Sequence, residues 1–166
     1  MQADNVDVRE CTPADAGRLG EPYAASWAGH LAGRWDFLTA WSGEQLVASA
    51  QLRWEGPHNA DVAQARPGQV ELGFLQVAEG WRGQGIGAAV VRLAESRCRD
   101  RHVTSLGLGV AMDNHQALDL YLRLGYADTG LRFTDRYTWT DADGVAHDAA
   151  EPGMYLVRER GAGAVP

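Results

Sequence analysis

The sequence predicts an α/β or α+β fold on one mixed sheet, and three observations support it. β-prone runs bracket two segments with helical apolar spacing, so the order of elements reads hairpin, strand, glycine loop, helix, strand, helix, strands. One of those strands, Val70 to Val77, is apolar on both faces except at Glu71 and Gln76, the pattern of a central strand covered from both sides. The 166 residues, 45% apolar and 22% charged, suit a single globular domain, expected over residues 1–160, with a frayed tail over residues 161–166.

Val6 to Cys11 alternates as a short first strand. Thr12 and Pro13 give a helix start, a cap followed by a first-turn proline, for a helix expected to end near Gly20. Tyr23 to Trp35 is ambiguous between a second short helix and a loop. Arg34 to Trp41 and Gln45 to Trp54 form a hairpin around Ser42-Gly43-Glu44, whereas Glu55 to Gln69, rich in Pro, Gly, Asn and Asp, reads as a loop. After the glycine run, Ile86, Val90, Leu93 and Ala94 recur at helical spacing in a helix that stops among Arg97, Asp100 and Arg101. Val103 to Val110 is the next strand. Asp113-Asn114-His115-Gln116 resembles a capping box opening a second helix, with Ala117, Leu120, Tyr121 and Leu124 on one face and Gly125 at its end. Tyr126 to Tyr137 and Gly153 to Arg158 close the sheet, with Asp143-Gly144 as a turn between them.

The net charge of −7 argues against nucleic acid or an anionic membrane as partner, since both require a basic field. All 15 basic residues are arginine, so neither a Walker-type phosphate loop nor Schiff-base chemistry can exist here. Cys11 and Cys98 have no metal or redox spacing, and no histidine pairs at ligand spacing with another ligand type, so no metal site is expected. The opening MQADNVDVRE lacks an apolar signal region and no stretch is long enough to span a bilayer; a cytoplasmic protein is expected.

WRGQGIGAAV, residues 81–90, holds the strongest chemical signal. Gly83, Gly85 and Gly87 lack a Cβ, so a ligand can approach their amides, and amides at a helix N-terminus form a site for phosphate or pyrophosphate. Arg82 adds a planar cation suited to phosphate oxygens. A dinucleotide fingerprint is formally matched by Gly83-x-Gly85-x-x-Ala88, but Ala78-Glu79-Gly80-Trp81 separates it from the strand, a hairpin precedes it, and no suitable acid lies between His102 and Val110.

Arg82-Gly83-Gln84-Gly85-Ile86-Gly87, after a strand and before an amphipathic helix, resembles the acetyl-CoA signature Q/R-x-x-G-x-G/A of the GCN5-related N-acetyltransferase (GNAT) superfamily. Asn114, Ala117, Leu120-Tyr121 and Leu124-Gly125-Tyr126 are similar to that family's N-x-x-A-x-x-L-Y-x-x-x-G-[FY] segment. Both signatures stand in the family's order. The resemblance implies a mixed, mostly antiparallel sheet of six or seven strands flanked by about four helices.

It also implies acetyl-CoA as acyl donor, coenzyme A as product, and direct transfer to a primary amine of a small molecule or peptide. By resemblance, the backbone of Arg82, Gly83, Gln84, Gly85, Ile86, Gly87 and Ala88 holds the pyrophosphate, and the strand end at Gln76 and Val77 pairs with the pantetheine arm. Asn114 bonds that arm, a backbone N–H near Val77 faces the thioester oxygen, Tyr121 protonates the leaving thiolate, and Glu71 accepts the amine proton. Each side chain has a plainer reading: Tyr121 as core, Glu71 as a solvated strand start, Asn114 as a helix cap. Trp27, Trp35, Trp41 and Trp54 lie where the family builds its acceptor pocket, although core packing explains them more simply. The acidic balance favours a cationic acceptor such as a polyamine, an aminoglycoside or an N-terminal amine. A non-catalytic acyl-CoA sensor and a hydroxyl-directed acyltransferase are the alternatives, and dimers are common in the family.

Overall fold

The computed structural model describes residues 3–160, and the tail expected over residues 161–166 lies outside them. Seven strands form one sheet: β1 (Val6–Glu10), β2 (Trp35–Ser42), β3 (Gln45–Arg53), β4 (Val70–Val77), β5 (Ser105–Ala111), β6 (Ala127–Thr140) and β7 (Ala146–Glu159). Their spatial order is β1-β2-β3-β4-β5-β7-β6, antiparallel throughout except between β4 and β5. Among the described residues five α-helices accompany it, α1 (Pro13–Ala16), α2 (Ala24–Leu31), α3 (Ala60–Ala65), α4 (Ile86–Asp100) and α5 (His115–Arg123), against about four expected.

α4 lays Ile86, Val90, Val91, Ala94 and Cys98 on the sheet, where they join Leu38, Leu52, Leu72 and Leu108 in the main core. Its apolar stripe recurs every three or four residues, so one face is buried along the whole helix. The tryptophans of the N-terminal half pack instead of opening a pocket. Trp35 and Trp41 are buried beneath the guanidinium groups of Arg53 and Arg18, and Arg101 covers Trp54 at 3.9 Å.

Several expectations need correction. α1 is a single turn and stops at Ala16, well before Gly20: past it the Arg18 and Leu19 N–H groups bond only three residues back, to the Asp15 and Ala16 carbonyls, while the Asp15 carboxylate closes a capping box at Thr12 and binds Arg9 and Arg18. The ambiguous Tyr23–Trp35 stretch contains α2. The Glu55–Gln69 loop contains α3, whose N-cap Asn59 accepts from the Asp61 and Val62 N–H groups. The closing strands run well past Tyr137 and begin well before Gly153, so β6 and β7 extend beyond β5 as a two-stranded arm.

β4 also departs from expectation. Only Val70, Glu71 and Leu72 are buried, and beyond them the strand alternates between half-buried and exposed. The cause is a splay. The β4–β5 ladder holds only at Val70↔Leu106 and Glu71↔Gly107, after which the strands part. An irregularity opposite Ala50 accompanies it, with Phe74 at φ 55°, a conformation unusual for a non-glycine residue. From Leu72 to Val77 one side of β4 therefore has no strand partner.

The strand glycines have a packing role. A Cβ at Gly107 would overlap the Tyr155 ring, and one at Gly153 would overlap Phe133, so these positions let aromatic rings lie flat on the sheet. Tyr155 in turn neighbours Glu71. Gly107→Ala is expected to destabilise the protein by about 1–3 kcal/mol through overpacking, read as a lower urea midpoint with an unchanged slope.

Candidate active site

At the unpartnered end of β4 lies a cleft of about 860 Å³, floored by residues of β3 and β4 and walled by the start of α4 and one face of α5. Gln76, Val77, Arg82, Gly83, Gly85, Ile86, Gly87, Ala88, Asn114 and Tyr121 all line it. Ten of the predicted residues thus meet at one place. Gln84 does not line the cleft: its Nε2 donates to the Gly80 carbonyl at 3.2 Å and its Oε1 is buried without a partner.

Gly83 and Gly85 adopt φ 73° and 82°, and nothing lies within 4 Å of where either Cβ would be. The left-handed turn ends at the N-cap of α4, so the first helical amides are bare at the mouth of the cleft. Arg82 leans back to donate its Nε to the Val77 carbonyl at 3.0 Å, pinning the glycine turn to the end of β4. The Ala78 N–H bonds the Val47 carbonyl on β3 at 2.8 Å. Because neighbouring peptide groups alternate in direction, the Val77 N–H points away from β3, into the cleft.

A second cavity of about 250 Å³ adjoins the first, and Leu75, Asn114, Ala117 and Tyr121 line both. Tyr121 is 7% exposed and stands edge-on to Tyr126; burial pushes its phenol up to about 12. Asn114 caps α5 by accepting from the Ala117 N–H at 3.1 Å through Oδ1, which leaves its Nδ2 for the cavities it faces. Capping and ligand contact are compatible here.

Glu71 lines only the second cavity. It is 6% exposed, not solvated, and desolvation raises its pKa above the ordinary carboxylate value. The His58 N–H holds its Oε1 at 3.1 Å and opposes that shift. The Tyr155 hydroxyl is close by yet has no hydrogen-bond partner of good geometry.

Asp135, Glu151 and His58 share this cavity, and sequence reasoning missed all three as site residues. The His58 ring lies 4.8 Å from Phe74, and its Nε2 is 3.6 Å from Asp135 Oδ1. Trp27, Trp35, Trp41 and Trp54 line neither cavity. The charge balance of the two spaces differs in sign: Arg82 and Arg123 outnumber Glu79 around the large cleft, whereas Glu71, Asp135 and Glu151 border the small one beside His58.

A cluster of Glu10, His30 and Asp36 has the spacing of metal ligands, but its chemistry is that of an ion-pair network. Arg97 binds Asp36 at 2.7 Å and Glu10 at 2.8 Å, and His30 Nδ1 accepts the Phe37 N–H, which fixes the ring proton on Nε2. Burial pushes the thiols of Cys11 and Cys98 up to about 11, so neither is primed as a nucleophile. Among the described residues no helix is long and apolar enough to cross a membrane.

The chain is 37% identical over 71 residues to N-acetyltransferase 8 of Rattus norvegicus, a match covering 43% of this chain and 32% of that protein. It therefore spans about a third of the length of the curated relatives it matches. Among solved structures it is similar to a ribosomal-protein-alanine N-acetyltransferase from Brucella melitensis, with TM-score 0.66 and 18% identity over 93% of this chain and 99% of that one. It is also similar to a GNAT family acetyltransferase from Elizabethkingia anophelis with acetyl-CoA bound, with TM-score 0.62 and 18% identity over 95% and 99% of the two chains. These two likenesses establish a shared fold. The model of the acetyltransferase (GNAT) family matches residues 7–126, through the splayed strand, the glycine turn and Tyr121 alike, and the chain belongs to that family.

Proposed function

We propose that this protein transfers an acetyl group directly from acetyl-CoA to a primary amine, with residues 1–160 acting as one domain. The observation that carries this reading is a pair of cavities that meet at Tyr121, the larger with arginines in excess over its one acid, Glu79, and the smaller with carboxylates in excess. An anionic donor suits the cleft bordered by Arg82, Arg123 and the α4 N-terminus; an ammonium suits the cavity bordered by Glu71. The unpartnered side of β4 suits an amide-bearing arm lying along it as an additional strand.

Acetyl-CoA supplies an already activated thioester, so no acyl-enzyme is required. Glu71, its pKa raised, takes the proton that leaves the ammonium as the C–N bond forms. The Val77 N–H faces the side on which negative charge gathers on the thioester oxygen. Tyr121 stays protonated throughout the neutral range and donates to sulfur as the C–S bond breaks. With the phenol near 12 and a thiol ordinarily near 8.5, outright transfer is uphill; Tyr121 acts first as a hydrogen-bond donor, and solvent completes the protonation.

Tyr121→Phe is expected to slow thiol release by on the order of 10²-fold with little change in KM for acetyl-CoA, since solvent can still deliver the proton. Its unfolding midpoint should stay close to that of the parent. An unchanged rate would remove Tyr121 from the chemistry. The primary test is a thiol-release screen of acetyl-CoA against amines, peptides and aminoglycosides. Tight binding of acetyl-CoA with no acceleration by any amine would point to a sensor instead.

A further inference from the structure

The smaller cavity is more acidic than one ammonium needs. Glu71, Asp135 and Glu151 line it, with His58 as the basic side chain and no arginine on its wall among the described residues. Asp135 and Glu151 stand directly opposite each other across the β6–β7 ladder, a placement in which like charges destabilise a sheet. Solvent and the His58 ring screen part of that repulsion, since Glu151 is exposed and Asp135 half-buried, but the hydrogen bonds do not remove the rest: Asp135 accepts from the Asn59 amide at 3.0 Å and Glu151 from the Tyr137 hydroxyl at 2.9 Å, both neutral donors. Glu71, 6% exposed, faces the same space with one oxygen held by the His58 N–H.

The two acidic positions are a short reach apart. His58 spans them, its N–H on Glu71 and its ring beside Asp135. The β6–β7 register puts Phe133, Asp135 and Tyr137 on one face with Gly153, Glu151 and Ala149, so the carboxylate pair lies on the path leading outward from Glu71 along the arm.

We propose, resting on the reading of this site as an N-acetyltransferase centre, that the acceptor carries a second positive charge, held between Asp135 and Glu151 while the reacting amine sits at Glu71. The bound cation removes the cross-strand repulsion that the free protein tolerates. Selectivity follows from charge at a fixed spacing. A neutral-tailed amine leaves the two carboxylates facing each other and gains nothing from them.

Diamines and peptides with a basic second residue share this chemistry, and the experiment separates them. Initial thiol-release rates would be compared for 1,5-diaminopentane against 1-aminopentane, and for the free-amino tripeptides Ala-Arg-Ala against Ala-Gln-Ala. The dicationic member of at least one pair is expected to have kcat/KM about tenfold or more above its partner, with the ratio shrinking between 0.05 and 0.5 M salt as the contact is screened. In the Asp135→Asn/Glu151→Gln double variant the ratio should fall toward one. Asp148→Asn, on the other face of the same arm, should leave it as in the parent. Turnover of both members of each pair at equal kcat/KM would overturn the inference and leave the N-acetyltransferase reading standing. A preference that survives the double variant would overturn the placement, and failure of every amine would overturn the parent reading and the inference with it.

Discussion

Gly85→Val is expected to abolish acetyl-CoA binding in titration calorimetry while the protein still folds. At φ 82° this residue is in the left-handed region, which costs a side chain roughly 1–2 kcal/mol, with a β-branched one at the unfavourable end. That is a modest part of a typical domain's stability. No protein atom lies within 4 Å of the added Cβ, so the fold has room for it. The ligand does not: the new methyl groups would stand over the amides that the donor must approach, at the N-cap of α4. Gly144→Val provides the comparison, since Gly144 has φ 80° and open space but sits at the tip of the β6–β7 arm. Both variants should lose similar stability, and only Gly85→Val should lose the ligand. Normal binding by Gly85→Val would remove the turn from the pyrophosphate site.

Glu71→Gln is expected to lower kcat/KM for amines by about 10²–10⁴-fold, the usual worth of a positioned base. Its effect on stability should run the other way. Burial raises the folded-state pKa of Glu71 above its value in the unfolded chain. In the pH window between those two values the folded protein binds the additional proton, so stability falls as pH rises through the window and remains lowered above it. Glutamine carries no charge and keeps an acceptor for the His58 N–H. The variant should therefore be at least as stable as the parent at pH 7–8, with the difference closing toward pH 4, as thermal melts at both pH values would read. The acid limb of the parent's kcat/KM profile should report the raised carboxyl pKa. Loss of stability together with activity would make Glu71 a structural residue.

The residues around the large cleft were legible because their signals are local. A glycine turn before an apolar stripe, and Tyr121 two turns after the N-cap Asn114, need only neighbours in sequence to be read. Asp135 and Glu151 needed more. They reach Glu71 only through the register of a long hairpin, and a composition of Thr, Asp, Arg, Tyr and Trp does not state which residues oppose each other. The burial of Glu71 depends likewise on His58 from the preceding connection and on Tyr155 from β7, both remote in sequence. β4 looked uniformly covered because its residues are apolar, and apolar residues do not reveal that the neighbouring strand has turned away. α3 was hidden because its six residues sit inside a stretch whose Pro, Gly and Asn content describes only the flanks.

The splay between β4 and β5 bears on solubility as well as on chemistry. An open strand edge is normally a hazard, because another chain can add to it and seed an aggregate. Here the open edge is in the middle of the sheet, with α4 and α5 rising on either side of the gap, so a second folded molecule cannot bring a strand against it. This chain can thus keep an unfinished ladder without a charged or proline guard. Amide exchange should register this: N–H groups of Leu72 to Val77 that face the gap should exchange quickly in the free protein and slow sharply when a thin, amide-bearing chain lies down in it.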